Sequence, residues 1–400
     1  MTPPQVRRPT DAELRKVIEP LALLDRLPTS PGEHEAAERI AERLAEAGAR
    51  AVVEREPAYP SYARPIGALT AAATAAGLLT ARRGRSLLGA AVGALAVAGI
   101  ADDISYRRQY ARRLLSGHRR TAANVVATVG DDDAPRTLVV MAHHDAAPTG
   151  AVFDQRLARH LARRYPAMVD RATENPPMWW PVLAGPALVA AGCAAGSRGL
   201  RRAGTVLSAV TTAALTQIGR STAVPGANDN LTAVAVLVAL ADTFRERPVP
   251  GLRVILFSAG AEEALQEGVR GFAHRHFPEL PLDTTWFLNL DTLGSGNLVL
   301  LDAEGPVTME DYDAAFGDQI TALAADHGVR LLRGLRSRSS TDGVVPMRHG
   351  YRTATIVSID DDKLIPHYHL HTDLPEHVDF TSVADAAVVA EAVARDLAAT

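Results

Sequence analysis

Cysteine is nearly absent from this 400-residue chain, in which Cys193 is the only one. One cysteine cannot form an intrachain disulfide, and it excludes a zinc site that depends on several thiolates. A metal ion would therefore have to be held by histidine and carboxylate side chains. The chain has 13 histidines, so most of them must be bystanders in any such site.

A surplus of basic residues is also absent. The net charge is -4 at pH 7 and the pI is about 6.4, which argues against a nucleic-acid partner. Lys16 and Lys363 are the only lysines among 42 basic residues, a bias that carries no functional information. The N-terminal segment 1–17 is polar and lacks the apolar core of a secretory signal, so we expect no export by that route.

Apolar residues are abundant, at 47% of the chain, which is ample for the core of one large domain or of two. Residues 11–48 have helical periodicity broken by one turn. Strand signals occur in the segments ARAVVERE, NVVATV, TLVVMA, LRVILF, TWFLNL and TATIVSI. Helical stretches separate most of these segments, which predicts an α/β fold of three layers with a mixed, mostly parallel central sheet. Ligands of such sheets bind at the carboxyl ends of the strands.

Two apolar helical hairpins interrupt this alternation. Their arms, of 16 to 19 residues, are 66–81 with 86–101 and 178–196 with 203–218, and the tips RRGR and SRGLRR are basic. We expect these hairpins to be additions to one main domain. The expected boundaries are 62–118 and 151–221 for the additions, and 1–61, 119–150 and 222–400 for the main domain.

The hairpins have two interpretations. In the first they are four short transmembrane helices with Trp179 and Trp180 at an interface, since a spanning helix needs roughly 17–25 apolar residues. The arginine-rich flanks then place the main domain in the cytoplasm. In the second, the arms bury one another or a partner copy in a soluble cytoplasmic protein. Low charge within the arms favours the first interpretation, and the Thr- and Ser-rich fourth arm favours the second.

Metal-binding residue types follow several predicted strands. His143 and Asp145 come after TLVVMA, where the imidazole could bind zinc and the carboxylate could accept its second N–H, although an isolated His-x-Asp is more often a solvated turn. Asp229 begins a predicted helix and could bridge two cations or cap that helix, a role that Asn228 or Asn230 could fill instead. Asp291 follows TWFLNL, where an Asp before Gly is often turn chemistry.

Glu262 and Glu263 lie side by side after the apolar run LRVILF. Adjacent carboxylates repel one another, and burying them is costly unless one is protonated or a cation neutralises them. In metal-assisted hydrolysis one glutamate could bind the metal while its neighbour takes a proton from the attacking water. The alternative is an exposed first helical turn, where acidic residues suit the helix dipole. The histidine-rich segment 367–377 supplies further candidate ligands.

Together, these blocks resemble the zinc aminopeptidases of metallopeptidase family twenty-eight, which share their fold with glutaminyl cyclases. The blocks are AHHD, PGANDN, GAEEA, NLD and YHLHTD, and the resemblance covers residues 15–60, 121–150 and 222–395. The two hairpins lie outside it. The segment STDGVVPMRHG departs from the family pattern, because Asp342 is followed by Gly where a bulkier residue is expected.

The resemblance implies roles for individual residues. His143 and Asp291 would bind one zinc ion, Glu263 and His369 the other, and Asp229 would bridge the two ions. His369 is preferred to His371 because the family spacing His-x-x-x-Asp is met by His369 and Asp373. Glu262 would be the general base and Asp145 would orient His143. Manganese or cobalt could replace zinc.

The resemblance thus implies a two-zinc aminopeptidase that acts on peptides or aminoacyl amides. A single-zinc glutaminyl cyclase is an alternative, and so is a membrane scaffold that keeps a peptidase-like domain for partner binding. The hairpins could also form a lid or a contact between copies of the chain.

Overall fold

The computed structural model describes residues 6–399. The first five residues of the N-terminal segment and Thr400, at the end of the expected main domain, lie outside the described residues. The strands are β1 Arg50–Ala58, β2 Arg120–Gly130, β3 Thr137–His143, β4 Arg253–Ala259, β5 Thr285–Leu290, β6 Asn297–Glu304, β7 Glu310–Asp311, β8 Leu331–Ser337 and β9 Arg352–Ile359. The helices are α1 Asp11–Ala22, α2 Pro31–Glu46, α3 Ala63–Leu79, α4 Leu87–Ile104, α5 Tyr110–Leu115, α6 Arg156–Arg164, α7 Pro166–Arg171, α8 Trp180–Ala195, α9 Arg198–Ile218, α10 Thr232–Glu246, α11 Glu267–His276, α12 Ala314–Asp326, α13 Val344–Arg348 and α14 Phe380–Ala399.

The described strands form one mixed sheet in the order β1-β2-β4-β3-β5-β9-β6-β7, and β8 also pairs with β6. The four central strands β4, β3, β5 and β9 are parallel to one another. Antiparallel pairing occurs towards both edges, between β1 and β2, β2 and β4, β6 and β9, and β6 and β7. The carboxyl ends of the central strands therefore meet along one edge of the sheet, as predicted for this mixed, mostly parallel fold.

Alternate residues of β3 enter two different cores. Leu138 and Val140 pack with α1, α2, α10 and α14 on one face of the sheet. Val139 and Met141 pack on the other face with Phe272 of α11 and with α13. Because successive side chains of a strand point to opposite faces, a strand that is apolar throughout requires helices on both sides. The predicted three-layer α/β/α architecture is confirmed.

The prediction missed three strands, β6, β7 and β8, that complete one side of the sheet. β6 is almost wholly buried, whereas β8 is a partly exposed edge strand whose register against β6 shifts twice. Arg333, Gly334 and Arg336 break the apolar pattern of β8. Strand β8 therefore depends on pairing with β6 rather than on its own sequence pattern.

Helices α3, α4, α8 and α9 form a bundle, hereafter the four-helix bundle, at the positions of the two expected hairpins. Helix α3 packs against α4 and α9, and α8 packs against the same two helices. One end of the bundle contacts the main domain through Ile66, Ile104 and Ile218, which share a cluster with Phe153 and Leu265. The expectation of a loop at SRGLRR is wrong, because α9 begins at Arg198 and Ser197 caps it. The domain boundaries given above stay a prediction.

Candidate metal centre

Three adjacent parallel strands deliver acidic and histidine side chains to one place. Strand β3 ends at His143, β4 is followed by Glu262 and Glu263, and β5 is followed directly by Asp291. The loop after β9 contributes His369. All five side chains are buried. The topology thus brings together residues that are up to 226 positions apart in the sequence.

Asp229 reaches the same place from a distorted turn, Ala227–Leu231, that precedes α10. The amides of its two neighbours hold this turn against the loop after β5. Asn230 donates to the Leu290 carbonyl at 3.0 Å and accepts from the backbone N–H of Thr292, while Asn228 accepts from the backbone N–H of Gly294. The expectation that Asn228 or Asn230 caps the helix is therefore wrong. Their hydrogen bonds position the Asp229 turn beside Asp291.

The two carboxylate oxygens of Asp229 face two different groups of side chains. Oδ1 lies 3.3 Å from His143 Nε2, and Oδ2 lies 3.3 Å from His369 Nε2. His143 Nε2 also lies 4.0 Å from Asp291 Oδ2, and His369 Nε2 lies 3.2 Å from Glu263 Oε1. Each group offers three donor atoms within 4.8 Å of one another. Asp229 is the member that the two groups share.

These donor atoms fit a pair of metal ions better than they fit hydrogen bonds to one another. His369 Nε2 and Asp229 Oδ2 are buried and have no hydrogen-bond partner within residues 6–399. A tetrahedral zinc ion with bonds of about 2.0–2.1 Å places its ligand atoms about 3.3 Å apart. Three of the separations, at 3.2 and 3.3 Å, match this value, and the separation of 4.0 Å between His143 Nε2 and Asp291 Oδ2 is wider. The imidazole and carboxylate donors are also ligands that zinc accepts.

The electrostatics of the site require positive charge. Burial raises the pKa of Glu262 well above its usual range, and the nearby carboxylates of Asp342 and Glu263 raise it further. Burial would lower the pKa of His369, but the carboxylates of Glu263 and Asp229 outweigh it and raise the pKa to about 10. Without a metal, histidine protonation would compensate part of the negative charge. A bound dication would compensate it more fully.

The sequence comparisons point to one family. Residues 211–394, slightly less than half of the chain, match the model of peptidase family M28. No curated protein is similar enough in sequence to count as a match.

Over residues 211–394, this chain is similar to peptidase family M28.

The match supports a zinc-dependent metallopeptidase and hence a hydrolase. The matched region contains Asp229, Glu262, Glu263, Asp291 and His369. It begins after His143 and Asp145, which the fold adds from the preceding part of the chain.

Solved structures share the fold of this protein at low sequence identity. A glutaminyl cyclase from Bacteroides thetaiotaomicron has a TM-score of 0.59 at 14% identity, with 98% of this chain and 99% of that chain covered. A leucine aminopeptidase precursor from the same organism has a TM-score of 0.58 at 14% identity, with the same coverage. A Zn-dependent exopeptidase from Parabacteroides distasonis has a TM-score of 0.58 at 12% identity, covering 98% of this chain and 100% of that chain.

Asp145 holds the glutamate pair in place through backbone hydrogen bonds. Its two carboxylate oxygens accept the backbone N–H groups of Glu262 at 3.0 Å and Glu263 at 2.9 Å. Asp145 Oδ1 also lies 3.4 Å from His143 Nδ1, although the ring N–H is not aligned as a hydrogen bond. Asp145 is completely buried. It therefore connects the end of β3 to the loop after β4.

Arg26, in the connection between α1 and α2, supports the metal centre from behind. Its guanidinium is fully buried and donates to the carbonyls of Leu21, His144, Pro225 and Gly226 at 2.6 to 3.2 Å. Burial lowers the pKa of Arg26 to about 10, while nearby aspartates, Asp145 foremost, oppose that shift. The side chain remains charged at neutral pH.

Glu262 has a partner that Glu263 lacks. The side-chain amide of Gln266 donates to Glu262 Oε1 and to the carbonyl of Ser340. The other oxygen, Oε2, lies 4.0 Å from His143 Nε2. Glu262 thus has one oxygen fixed by Gln266 and the other facing the metal-binding groups. Gln266 was missed in the sequence, although it stands four residues after Glu262 on the same turn-rich segment.

The sequence reasoning also missed the residues that shape the cavity at the metal centre. A cavity of about 320 Å³ contains His143, Asp229, Glu262, Glu263 and Asp291. Its walls are largely apolar and include Leu301, Leu335, Val357, Ile359, Leu364 and Ile365. Tyr368, next to His369 in the sequence, also lines the cavity and stacks on that histidine. By contrast, the alternative ligand His371 lies exposed on the surface.

Proposed function

We propose that this protein is a two-zinc aminopeptidase that hydrolyses the N-terminal peptide bond of peptides or aminoacyl amides. The observation that carries the proposal is the position of Asp229, whose two oxygens each face a separate histidine at 3.3 Å. A carboxylate in that position can bridge two metal ions. A site for a single metal ion would not need donor groups at both carboxylate oxygens of Asp229.

In this proposal, His143 and Asp291 hold one zinc ion, Glu263 and His369 hold the other, and Asp229 binds both. His143, Glu262 and Glu263 form a further group of donors at similar distances. We assign Glu262 to proton transfer instead of metal binding. Asp229 belongs to the other two donor groups, which together can hold both metal ions without Glu262. Its oxygen Oε1 is also already engaged by Gln266.

Bound zinc would polarise the substrate carbonyl and make the attacking water more acidic. Glu262 Oε2 would accept a proton from that water and later donate it to the departing amine. Gln266 holds the carboxylate in position by its hydrogen bond to Oε1. Asp145 fixes the backbone of the same segment, so both residues preserve the distance between Glu262 and the reacting atoms.

Tyr368 is placed to assist the attack. Burial, followed by the charge of Asp229 and Glu263, raises the pKa of its phenol well above the usual range, so the hydroxyl stays protonated. It lines the cavity beside His369. A protonated phenol there can donate a hydrogen bond to the oxygen on which negative charge develops.

The cavity favours a substrate with an apolar side chain and a free amine. Leu301, Leu335 and Val357 line the wall beyond the donor groups and would receive the side chain of the first residue. The carboxylates of the metal centre would attract the ammonium group of a peptide N-terminus. Manganese or cobalt could occupy the same donors.

Elemental analysis and substrate hydrolysis together test this proposal. Protein purified without chelator should contain about two zinc ions per chain and should cleave leucyl or methionyl amides. Chelation should abolish cleavage, and N-acetylation of the substrate should block it. One zinc per chain with cyclisation of an N-terminal glutamine peptide would favour a glutaminyl cyclase. Absence of both metal and cleavage would favour a binding scaffold.

A further inference from the structure

The four-helix bundle carries a band without charge. Residues 65–81, 86–101, 178–197 and 203–219, the bodies of its four helices, contain no Asp, Glu, Lys or Arg. Their outward side chains are mostly Ala, Leu and Val. The large ones include Leu78, Leu87, Leu88, Leu95, Val206 and Val210, which are 61% to 84% exposed. This band leaves a continuous apolar surface around the bundle.

Small and hydroxyl-bearing residues form the closest contacts inside the bundle, beside a few buried aliphatic residues such as Ile66, Val189 and Leu215. A methyl group at Gly204 would lie 2.5 Å from the backbone nitrogen of Val189, and one at Gly93 would lie 2.8 Å from the carbonyl oxygen of Pro186. Buried Thr70 pairs with the hydroxyl of Thr212 at 2.8 Å. A water-soluble bundle exposes charged residues on its outer face, whereas the outer face of this band has no charge and exposes large apolar side chains. Close packing through small residues and hydroxyl groups is the usual arrangement between membrane helices.

Charged residues bound the band at both ends. At the far end, the tips carry exposed arginines and no acidic residue: Arg82, Arg83, Arg85, Arg198 and Arg202. Buried Arg201 joins the two tips by donating to the carbonyls of Arg83 at 2.9 Å and Gly84 at 2.6 Å. At the near end, Arg64, Asp102 and Arg220 mark the return to polar sequence. The tips form one cationic surface whose long arginine side chains can extend into the polar headgroup layer.

We propose that the four-helix bundle spans a lipid bilayer. The charge-free part of each helix has about 17 residues and is therefore about 25 Å long. This length is slightly less than the thickness of the hydrocarbon core of a bilayer, about 30 Å. Arginine side chains at the tips extend to the headgroups, and local thinning of the bilayer accommodates the remainder. Among the described residues, Leu87–Ile104 is the helix that is long and apolar enough to cross alone, and Trp180–Ala195 is apolar but shorter. The other two helices enter as parts of a packed bundle.

This placement sets the metal centre at the membrane surface. Tyr62 precedes α3, Tyr106 follows α4 and Trp179 precedes α8, and all three line a cavity together with Glu262 and His369. The base of the bundle is therefore a wall of the site. Substrates would reach Glu262 from the layer of solvent next to the lipid. The membrane proposal itself does not depend on which reaction the site performs.

Flotation tests the association with lipid. The full-length protein, reconstituted from detergent, should float with vesicles of phosphatidylcholine and phosphatidylglycerol and should resist extraction by high salt and alkaline carbonate. Without detergent or lipid it should aggregate. A monodisperse monomer in plain buffer would overturn the proposal. A discrete soluble dimer that covers Leu95 and Val210 would also overturn it and identify a second copy as the occupant.

Arginine substitutions locate the apolar contact. Leu95→Arg and Val210→Arg, at the middle of α4 and α9, should each lower the membrane-inserted fraction about tenfold, since charge at the centre of a spanning helix is strongly disfavoured. Matched controls are Val52→Arg and Leu282→Arg, which alter residues that are 58% and 51% exposed on the main domain. The controls should insert like the unmodified chain. Equal insertion of all four variants would contradict the proposal.

Cysteine labelling distinguishes spanning from surface binding. Cys193 is the only cysteine, so Cys193→Ala gives a background for Arg83→Cys at the tip and Arg171→Cys near the base. A membrane-impermeant maleimide should label the tip in spheroplasts and the base only after permeabilisation, with detergent-solubilised protein as the reference. Equal labelling of both positions in spheroplasts, whether high or low, would overturn the spanning topology. These measurements use no substrate. The membrane proposal can therefore fail while the proposed peptidase activity is confirmed, and the peptidase proposal can fail while membrane insertion is confirmed.

Discussion

Replacing Glu262 by glutamine separates proton transfer from metal binding. The substitution is nearly isosteric, and the oxygen of the new amide can still accept the hydrogen bond that Gln266 donates to Glu262. The amide cannot take up a proton from water. General-base catalysis contributes about 10²- to 10⁴-fold to a rate. A loss of that size corresponds to a barrier higher by about 2.7 to 5.4 kcal/mol.

The assay compares kcat on leucyl amide with zinc content in the same preparations. Glu262→Gln should retain about two zinc ions and lose about 10²- to 10⁴-fold in kcat. Glu263→Gln is the matched control, because it alters the adjacent carboxylate, whose Oε1 lies 3.2 Å from His369 Nε2. That variant should lose zinc as well as activity. Unchanged kcat in Glu262→Gln would refute the base assignment, and loss of zinc from it would make Glu262 a ligand.

Two further predictions concern the same site, and a third concerns buried Glu304 at the end of β6. Asp229→Asn should reduce binding of both metal ions, whereas Asp291→Asn should reduce only one, as elemental analysis after dialysis would reveal; equal losses would contradict the bridging role. Asp145 accepts one backbone N–H group on each carboxylate oxygen, and asparagine can accept only one of the two. Asp145→Asn should therefore weaken metal affinity or activity about 10- to 100-fold. Unchanged affinity and activity would contradict its positioning role. Burial raises the pKa of Glu304 to about 7 from 4.5, so this group stabilises the fold below pH 4.5 and that stability is lost as pH rises to 7. The loss is about 3 kcal/mol, and Glu304→Gln should flatten this part of the pH profile in chelated protein measured by urea unfolding; an unchanged slope would contradict it.

The sequence was sufficient for the central sheet because each central strand is an apolar run that ends at a polar residue. His143 and Asp291 stand at such ends, and the parallel arrangement brings them together. The same logic could not find β8, whose pattern is interrupted by Arg333 and Gly334 and which forms by pairing with β6. Local pattern predicts a buried central strand well and an exposed edge strand poorly.

Long-range contacts explain the other errors. Asn228 and Asn230 have the chemistry of helix caps, but their amides bind the loop after β5, sixty or more positions away in the sequence. The segment after Ser197 has the glycine and arginines of a turn, yet it is helical and Arg201 bonds to carbonyls of the other hairpin. In each case the side chain satisfies a tertiary partner that local sequence does not reveal. Gln266 was missed for the same reason, since its role depends on where Glu262 points.

Arg26 gives the metal centre a counter-charge that does not exchange with solvent. Its guanidinium joins the segment after α1 to the loops that carry Asp145 and Asp229, and these bonds use backbone carbonyls that no metal needs. After chelation the loops that carry the metal ligands should therefore keep their positions, so that binding metal again requires no ordering of the chain. Uptake would instead be governed by release of protons from His143 and His369, and would slow as the solution becomes more acidic.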